Sequence, residues 1–239
     1  MKLLSIAGSL LFILAWPLLL TSTSVSVAAN SPSLYNNGFD KYNIPASTGI
    51  GKPELKLVVL QMIDYYNSDR EYLDIKVPLG GKTVDLFNER EIEHMKDVKG
   101  LINFSYLLQW SSILYVIIFG SIGFFWRKGK FRRSIFRLIL KGSLATLAVV
   151  LILSAFVVFN FQGFFLGFHL LSFSNDLWVL DPSRDYLIKM FTEGFFFDAT
   201  LYIGIAVAVE AAIICGLMTL LLKKRGSNHP PEVEPLPPQ

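Results

Sequence analysis

The stretch GLINFSYLLQWSSILYVIIFGSIGFFW, residues 100–126, carries no charged side chain and runs directly into RKGKFRR, residues 127–133. An uninterrupted apolar run of that length exceeds the ~20 residues a helix rising ~1.5 Å per residue needs to cross ~30 Å of hydrocarbon. Three further runs match it: LLSIAGSLLFILAWPLLL (3–20), residues 142–160, and residues 199–222, broken only by Glu210. Only a helix satisfies its own backbone in lipid, so four spanning helices are expected. The whole chain agrees. Its 239 residues are 52% apolar and only 17% charged, with 20 Phe and one Cys. Mean hydropathy is +0.47. That balance excludes a soluble enzyme, a disordered chain and a nucleic-acid reader, even at a net charge of +3. A single Cys excludes a disulfide framework, a Cys-ligated zinc site and CxxC redox chemistry.

Basic residues set the orientation. RKGKFRR with Arg137 holds six basic residues and no acid, and KKR (223–225) follows the last run. By the positive-inside rule both face the cytoplasm, and an even number of spans puts Lys2 there too. The expected organisation is therefore a first span within 1–29, an extracytoplasmic cap (30–99) and a second span (100–126). A basic cytoplasmic loop (127–137), a third span (138–160) and an extracytoplasmic or interfacial segment (161–198) follow. A fourth span (199–222) and a Pro-rich cytoplasmic tail (223–239) complete the chain. The alternative for the first segment is a signal peptide, since Ser26 and Ala28 fit a small-x-small cleavage pattern. A long apolar run, a single n-region Lys and the distance to that site favour retention.

Within 30–99, PELKLVVLQMIDYYN (53–67) places Leu55, Val58, Val59, Met62, Ile63 and Tyr66 on one helical face. EYLDIKV and TVDLF flank Gly80-Gly81 as a hairpin, which must pack on that helix or the membrane surface. Asn88 with Glu91 three residues on reads as a capping box opening a helix that runs on towards the second span. The expected fold class is a mainly α membrane protein with four transmembrane helices and a small α+β extracytoplasmic cap.

Chemistry gathers at one boundary. Of three His, His94 lies about two turns before the second span, His169 lies shortly after the third, and His229 sits in the Pro-rich tail as a solvated bystander. Glu91, His94 and Asp97 recur at i, i+3 and i+6, so Asp97 is a candidate partner for one ring nitrogen of His94. The plainer alternative is an exposed His94 paired with Asp97, Glu91 only capping. After His169, the segment NDLWVLDPSRDYLI (175–188) offers Asn175, Asp176 and Arg184 as polar groups and Trp178 as an amphipathic anchor. In DPSRD, Asp181 reads as an N-cap with Pro182 at the first helical position. Glu210, alone in mid-span, is expected to pair with Lys141 or to bond another helix. No GxSxG, HExxH or phosphate loop is present. A zinc site of two His and an Asp stays open as a metal-dependent membrane hydrolase, beside a non-catalytic scaffold or sensor.

EREIEHMKDVK (89–99) and FHLLSFSNDLWVLDPSRDYLIKMFTEGFFFD (168–198) resemble the two signature blocks of the bacterial lipoprotein intramolecular transacylases, and YNNGFDKYNI (35–44) resembles the start of that family's outer domain. Thr192 stands where the family pattern has Pro. The resemblance implies four spans, an outer cap, no cofactor, and a bacterial cell-membrane location. It implies an acyltransferase acting on lipoproteins whose N-terminal Cys bears an S-diacylglyceryl group. An acyl chain would move from the glycerol sn-2 oxygen to the Cys α-amino group, leaving a lyso-form lipoprotein. Carried over by position, the family's two essential His match His94 and His169. Asp97 would orient His94, and Asn175, Asp176, Arg184 and Trp178 would shape the pocket, with membrane lipids as neighbours and no nucleic acid as partner.

Overall fold

A computed structural model describes residues 2–226; the side chains of 2–5, 126–130, 132, 225 and 226 are not described. The Pro-rich tail and His229 lie outside the described residues. Helix α1 (Lys2–Ala29) is followed by α2 (Pro32–Lys41), α3 (Ile44–Thr48) and α4 (Lys52–Tyr66). Strands β1 (Lys76–Leu79) and β2 (Lys82–Asp85) pair antiparallel, with Val77 opposite Val84. Gly80 and Gly81 close the hairpin at φ +58° and +79°. Two successive left-handed residues suit a tight hairpin turn and only glycine adopts both without strain.

Asn88 then caps α5 (Glu89–Phe159) with both halves of the expected capping box present. This helical run contains two candidate spans, Glu89–Phe125 and Arg133–Phe159. It does not run straight. Phe12 of α1 stacks near Phe119 (centroids 5.2 Å apart), while Trp16, one turn along, donates to Ser143 Oγ (2.9 Å). A straight helix would carry residue 143 roughly 36 Å beyond residue 119, so α5 doubles back between its apolar stretches. The basic segment expected as a loop is itself helical in backbone. Helix α6 (Phe161–Ser172), α7 (Tyr186–Met190) and α8 (Glu193–Gly226) follow. Thr192 accepts from Phe195 N–H (3.2 Å), so the residue standing where Pro was expected caps α8.

The four candidate spans turn most of their side chains outward: Leu10, Leu107, Leu151 and Leu217 are all exposed. In water that would be costly; in lipid it is the required surface. Within the first candidate span of α5, Glu89–Phe125, charge is confined to the first three turns, Glu89 to Lys99, so the apolar crossing begins at Gly100 and His94 lies outside it.

The cap has its own core. The α4 face packs with Tyr35, Phe39, Ile75, Val77, Leu86, Phe87 and Met95, with Leu187, Met190 and Phe191 from α7 and its end, and with Phe195 of α8. Tyr65 joins this core, beyond the predicted face. A polar clasp sits at its base: Asn30 donates to Tyr106 Oη (2.6 Å), and Asn67 donates to Asn30 Oδ1 (2.7 Å). It ties the ends of α1 and α4 to α5.

Candidate functional site

The site is built on the first turns of α5. Glu91 Oε2 accepts from Asn88 N–H (2.9 Å), while Glu91 Oε1 reaches across to accept from Leu187 N–H (2.6 Å). Asp185, wholly buried, accepts from Asn88 Nδ2 (2.9 Å) and from Asp181 N–H (2.7 Å). Two buried carboxylates thus clamp the turn before α7 onto the start of α5. One turn beyond Glu91, on the fixed end of that helix, stands His94.

His169 comes from the last turn of α6. Its ring centroid lies 6.4 Å from that of His94, at 28° between planes. Both are buried, at 6% and 7% exposure. Rings enclose them: Phe173 meets His94 edge-on at 5.1 Å, and Phe165 and Trp178 lie 4.3 and 4.9 Å from His169. His169 Nδ1 is 2.7 Å from the Phe165 carbonyl oxygen. A carbonyl only accepts, so this nitrogen carries the proton, and in the neutral ring Nε2 keeps its lone pair. His94 Nδ1 is buried with no hydrogen-bond partner.

Burial decides the electrostatics. It pushes the His94 imidazole down to about 4; the neighbouring His169 and Arg90 push the same way, and Asp97 opposes. Burial also lowers His169, against the Phe165 carbonyl, which favours the protonated ring. Both rings are therefore neutral at pH 7. A neutral pair of imidazoles, one with a fixed free lone pair, in an aromatic enclosure suits proton transfer.

The sequence pattern of the family described as lipoprotein intramolecular transacylase Lit matches residues 10–196. The chain belongs to that family. It is a multi-pass membrane protein and a transacylase of lipoprotein modification. The fold matches the solved structure of the membrane integral lipoprotein intramolecular transacylase Lit from Bacillus cereus, at 23% identity and a TM-score of 0.80. That match covers 95% of this chain and all of the other. Two structures of the Bacillus cereus protein with one histidine replaced, by Arg or by Ala, also match, each at TM-score 0.75 and 23% identity. They cover 95% of this chain and 96% and 97% of theirs. No curated protein matches in sequence.

Around the His pair, this Lit-family chain rearranges several expected roles. Asp97 does not hydrogen-bond His94: its Oδ2 accepts from Asn175 Nδ2 (2.8 Å). Asp176 pairs with Arg90, which donates to both its carboxylate (3.4 Å) and its backbone oxygen. These two ties flank His94 along α5 and strap the 173–178 segment over the rings. Trp178 lies on His169 and donates to the Asn175 carbonyl (2.9 Å), so it shapes the site directly. Arg184 is turned away, exposed, with Nε 3.3 Å from Asp185 and 4.0 Å from Asp181. Asp181 caps no helix; it accepts from Ser183 N–H (2.8 Å) in a local turn, and Asp185 stands at the α7 N-cap position. Glu210 accepts from Ser24 (3.5 Å), and among the described residues it forms no ion pair with Lys141. Likewise among the described residues, no three His, Cys, Asp or Glu side chains are grouped as a metal site would need.

Sequence reasoning missed Arg90, Phe165 and Phe173 as site residues. Arg90 had a readable signal: it lies four residues before His94, on the same helical face.

Proposed function

We propose that the chain moves an acyl chain from the sn-2 oxygen of S-diacylglyceryl-cysteine to the α-amino group of that cysteine, with His169 as general base. The observation carrying this reading is the buried pair itself: two imidazoles 6.4 Å apart, one with Nδ1 committed to a carbonyl. Aminolysis needs the amine unprotonated, because an ammonium has no lone pair. His169 Nε2 takes the amine proton as the nitrogen attacks the ester carbonyl, and later delivers it to the departing glycerol oxygen. His94 donates to the oxygen on which charge develops. Amine and ester belong to one molecule, so the remaining task is to fold the substrate into attack geometry, which the ring enclosure supports. No acyl-enzyme is needed. Asp97 with Asn175, and Arg90 with Asp176, hold the covering segment. The cap and the His pair face outward from a bacterial cell membrane, with both termini cytoplasmic, supported by the basic residues at 127–137 and 223–225.

The proposed reaction is an isomerisation, which gives a sharp test. Purified protein with a synthetic diacylglyceryl lipopeptide should leave the intact mass unchanged while fragmentation shows the acyl group on nitrogen. Release of free fatty acid, with loss of an acyl mass, would instead identify a hydrolase.

A further inference from the structure

Among the described residues, two buried side-chain polar atoms lack any hydrogen-bond partner: His94 Nδ1 and Arg90 Nε. They belong to residues one turn apart on one face of α5, and the His94 ring centroid lies 6.4 Å from that of His169. Leaving a buried donor unpaired costs about 1–3 kcal/mol, so each such atom calls for an explanation. The tether to Asp176 does not supply one, because it uses only the terminal Nη2 of Arg90 and leaves Nε–H untouched. The charge of Arg90 is felt at His94. Neither imidazole is cationic at pH 7, whereas Arg90 brings a permanent positive charge into contact with the strap over the rings.

We propose that Arg90 Nε–H and His94 Nδ1–H together form the oxyanion-binding pair, receiving the carbonyl oxygen of the ester under attack. As the amine nitrogen bonds to the carbonyl carbon, the carbonyl π electrons move onto that oxygen, held between the two donors. His169 Nε2 takes the ammonium proton. On collapse the electrons return, the carbon–glycerol oxygen bond breaks, and the glycerol oxygen leaves with the proton from His169. A full positive charge fixed by Asp176 before substrate arrives stabilises this oxygen more in the transition state than in the neutral ester. Arg90 is thereby a catalytic residue that touches the reacting oxygen. This deepens the transacylation reading and rests on it.

Arg90→Lys separates the roles: it keeps the charge and can keep the Asp176 pair, but has no Nε–H. The expected result is a fall in kcat of roughly 10²–10³-fold with KM within about threefold of wild type, as for loss of one oxyanion donor. Asp176→Asn, which loosens the tether and leaves Nε–H in place, should lose less than tenfold. Thermal unfolding in detergent checks that each variant is folded, and Arg90→Gln, held to the same threshold, replaces Arg90→Lys if that variant is not. Arg90→Lys retaining more than a tenth of wild-type kcat, or Asp176→Asn falling as far as Arg90→Lys, would overturn the assignment. An inactive wild-type protein in the same assay would instead overturn the transacylation reading.

Discussion

Glu91→Ala removes one carboxylate that serves two backbone donors on segments nearly a hundred residues apart in sequence. Glu91 is 1% exposed and accepts from Leu187 N–H at 2.6 Å and from Asn88 N–H at 2.9 Å. The substitution therefore removes the acceptor of one buried and one half-buried donor. At about 1–3 kcal/mol for each unpaired group, the loss comes to about 2–6 kcal/mol. For a chain of this size each kcal/mol moves Tm by about 2–4 °C, which gives a fall of roughly 4–24 °C. Glu91→Gln keeps one acceptor but turns an amide donor towards the other N–H, so it should fall between wild type and Ala. Thermal unfolding followed by intrinsic tryptophan fluorescence in detergent micelles reads all three proteins. The same variants should lose transacylation rate in the same order, because the clamp holds the helix turn that carries His94. An Ala variant melting within about 2 °C of wild type would refute the idea that Glu91 joins the two segments.

Since burial lowers both imidazoles, neither picks up a proton where an ordinary His would, near ~6.5. The dependence of kcat/KM on pH should therefore follow the free substrate amine, rising with a slope of one up to about 8. A slope of two between pH 5 and 7 would contradict a neutral pair. Stability carries the matching sign: the unfolded chain takes up a proton at His94 near ~6.5, whereas the folded chain resists until about 4. Tm should thus fall as pH drops through that window, and His94→Gln should flatten the fall. A Cβ on Gly38 would sit 2.4 Å from the Phe195 ring, inside the stack that joins α2 to α8. Gly38→Ala should then cost about 1–3 kcal/mol of stability through forced repacking, read as a lower Tm; an unchanged Tm would show that the ring moves freely.

What was legible in the sequence is what short-range physics encodes. Uncharged runs of membrane-spanning length marked the helices, Gly80-Gly81 marked a turn needing positive φ, and Asn88 with Glu91 marked a cap satisfied within three residues. The scarcity of His singled out His94 and His169, and they meet. What failed were partner choices across the chain. Asp97 lies at helical spacing from His94, yet its carboxylate goes to Asn175, 78 residues away, because the strap brings an amide donor closer. Asp181 followed by Pro182 resembles a helix start, but Asp181 spends its acceptors on Ser183 and its N–H on Asp185. Helices α2 and α3 escaped notice because each is short and gains its order from burying Tyr35, Phe39 and Ile44 in the cap core. The basic stretch expected as a loop is helical, since charge sets which side it faces without fixing its backbone.

The central claim is that two neutral imidazoles carry out the acyl shift. It is tested most directly by following N-acylation of a diacylglyceryl lipopeptide with purified wild type, His94→Ala and His169→Ala. All three should be folded by thermal unfolding, with wild type converting substrate to its N-acyl isomer and each variant at the uncatalysed rate. Conversion by both variants at near the wild-type rate would contradict the account.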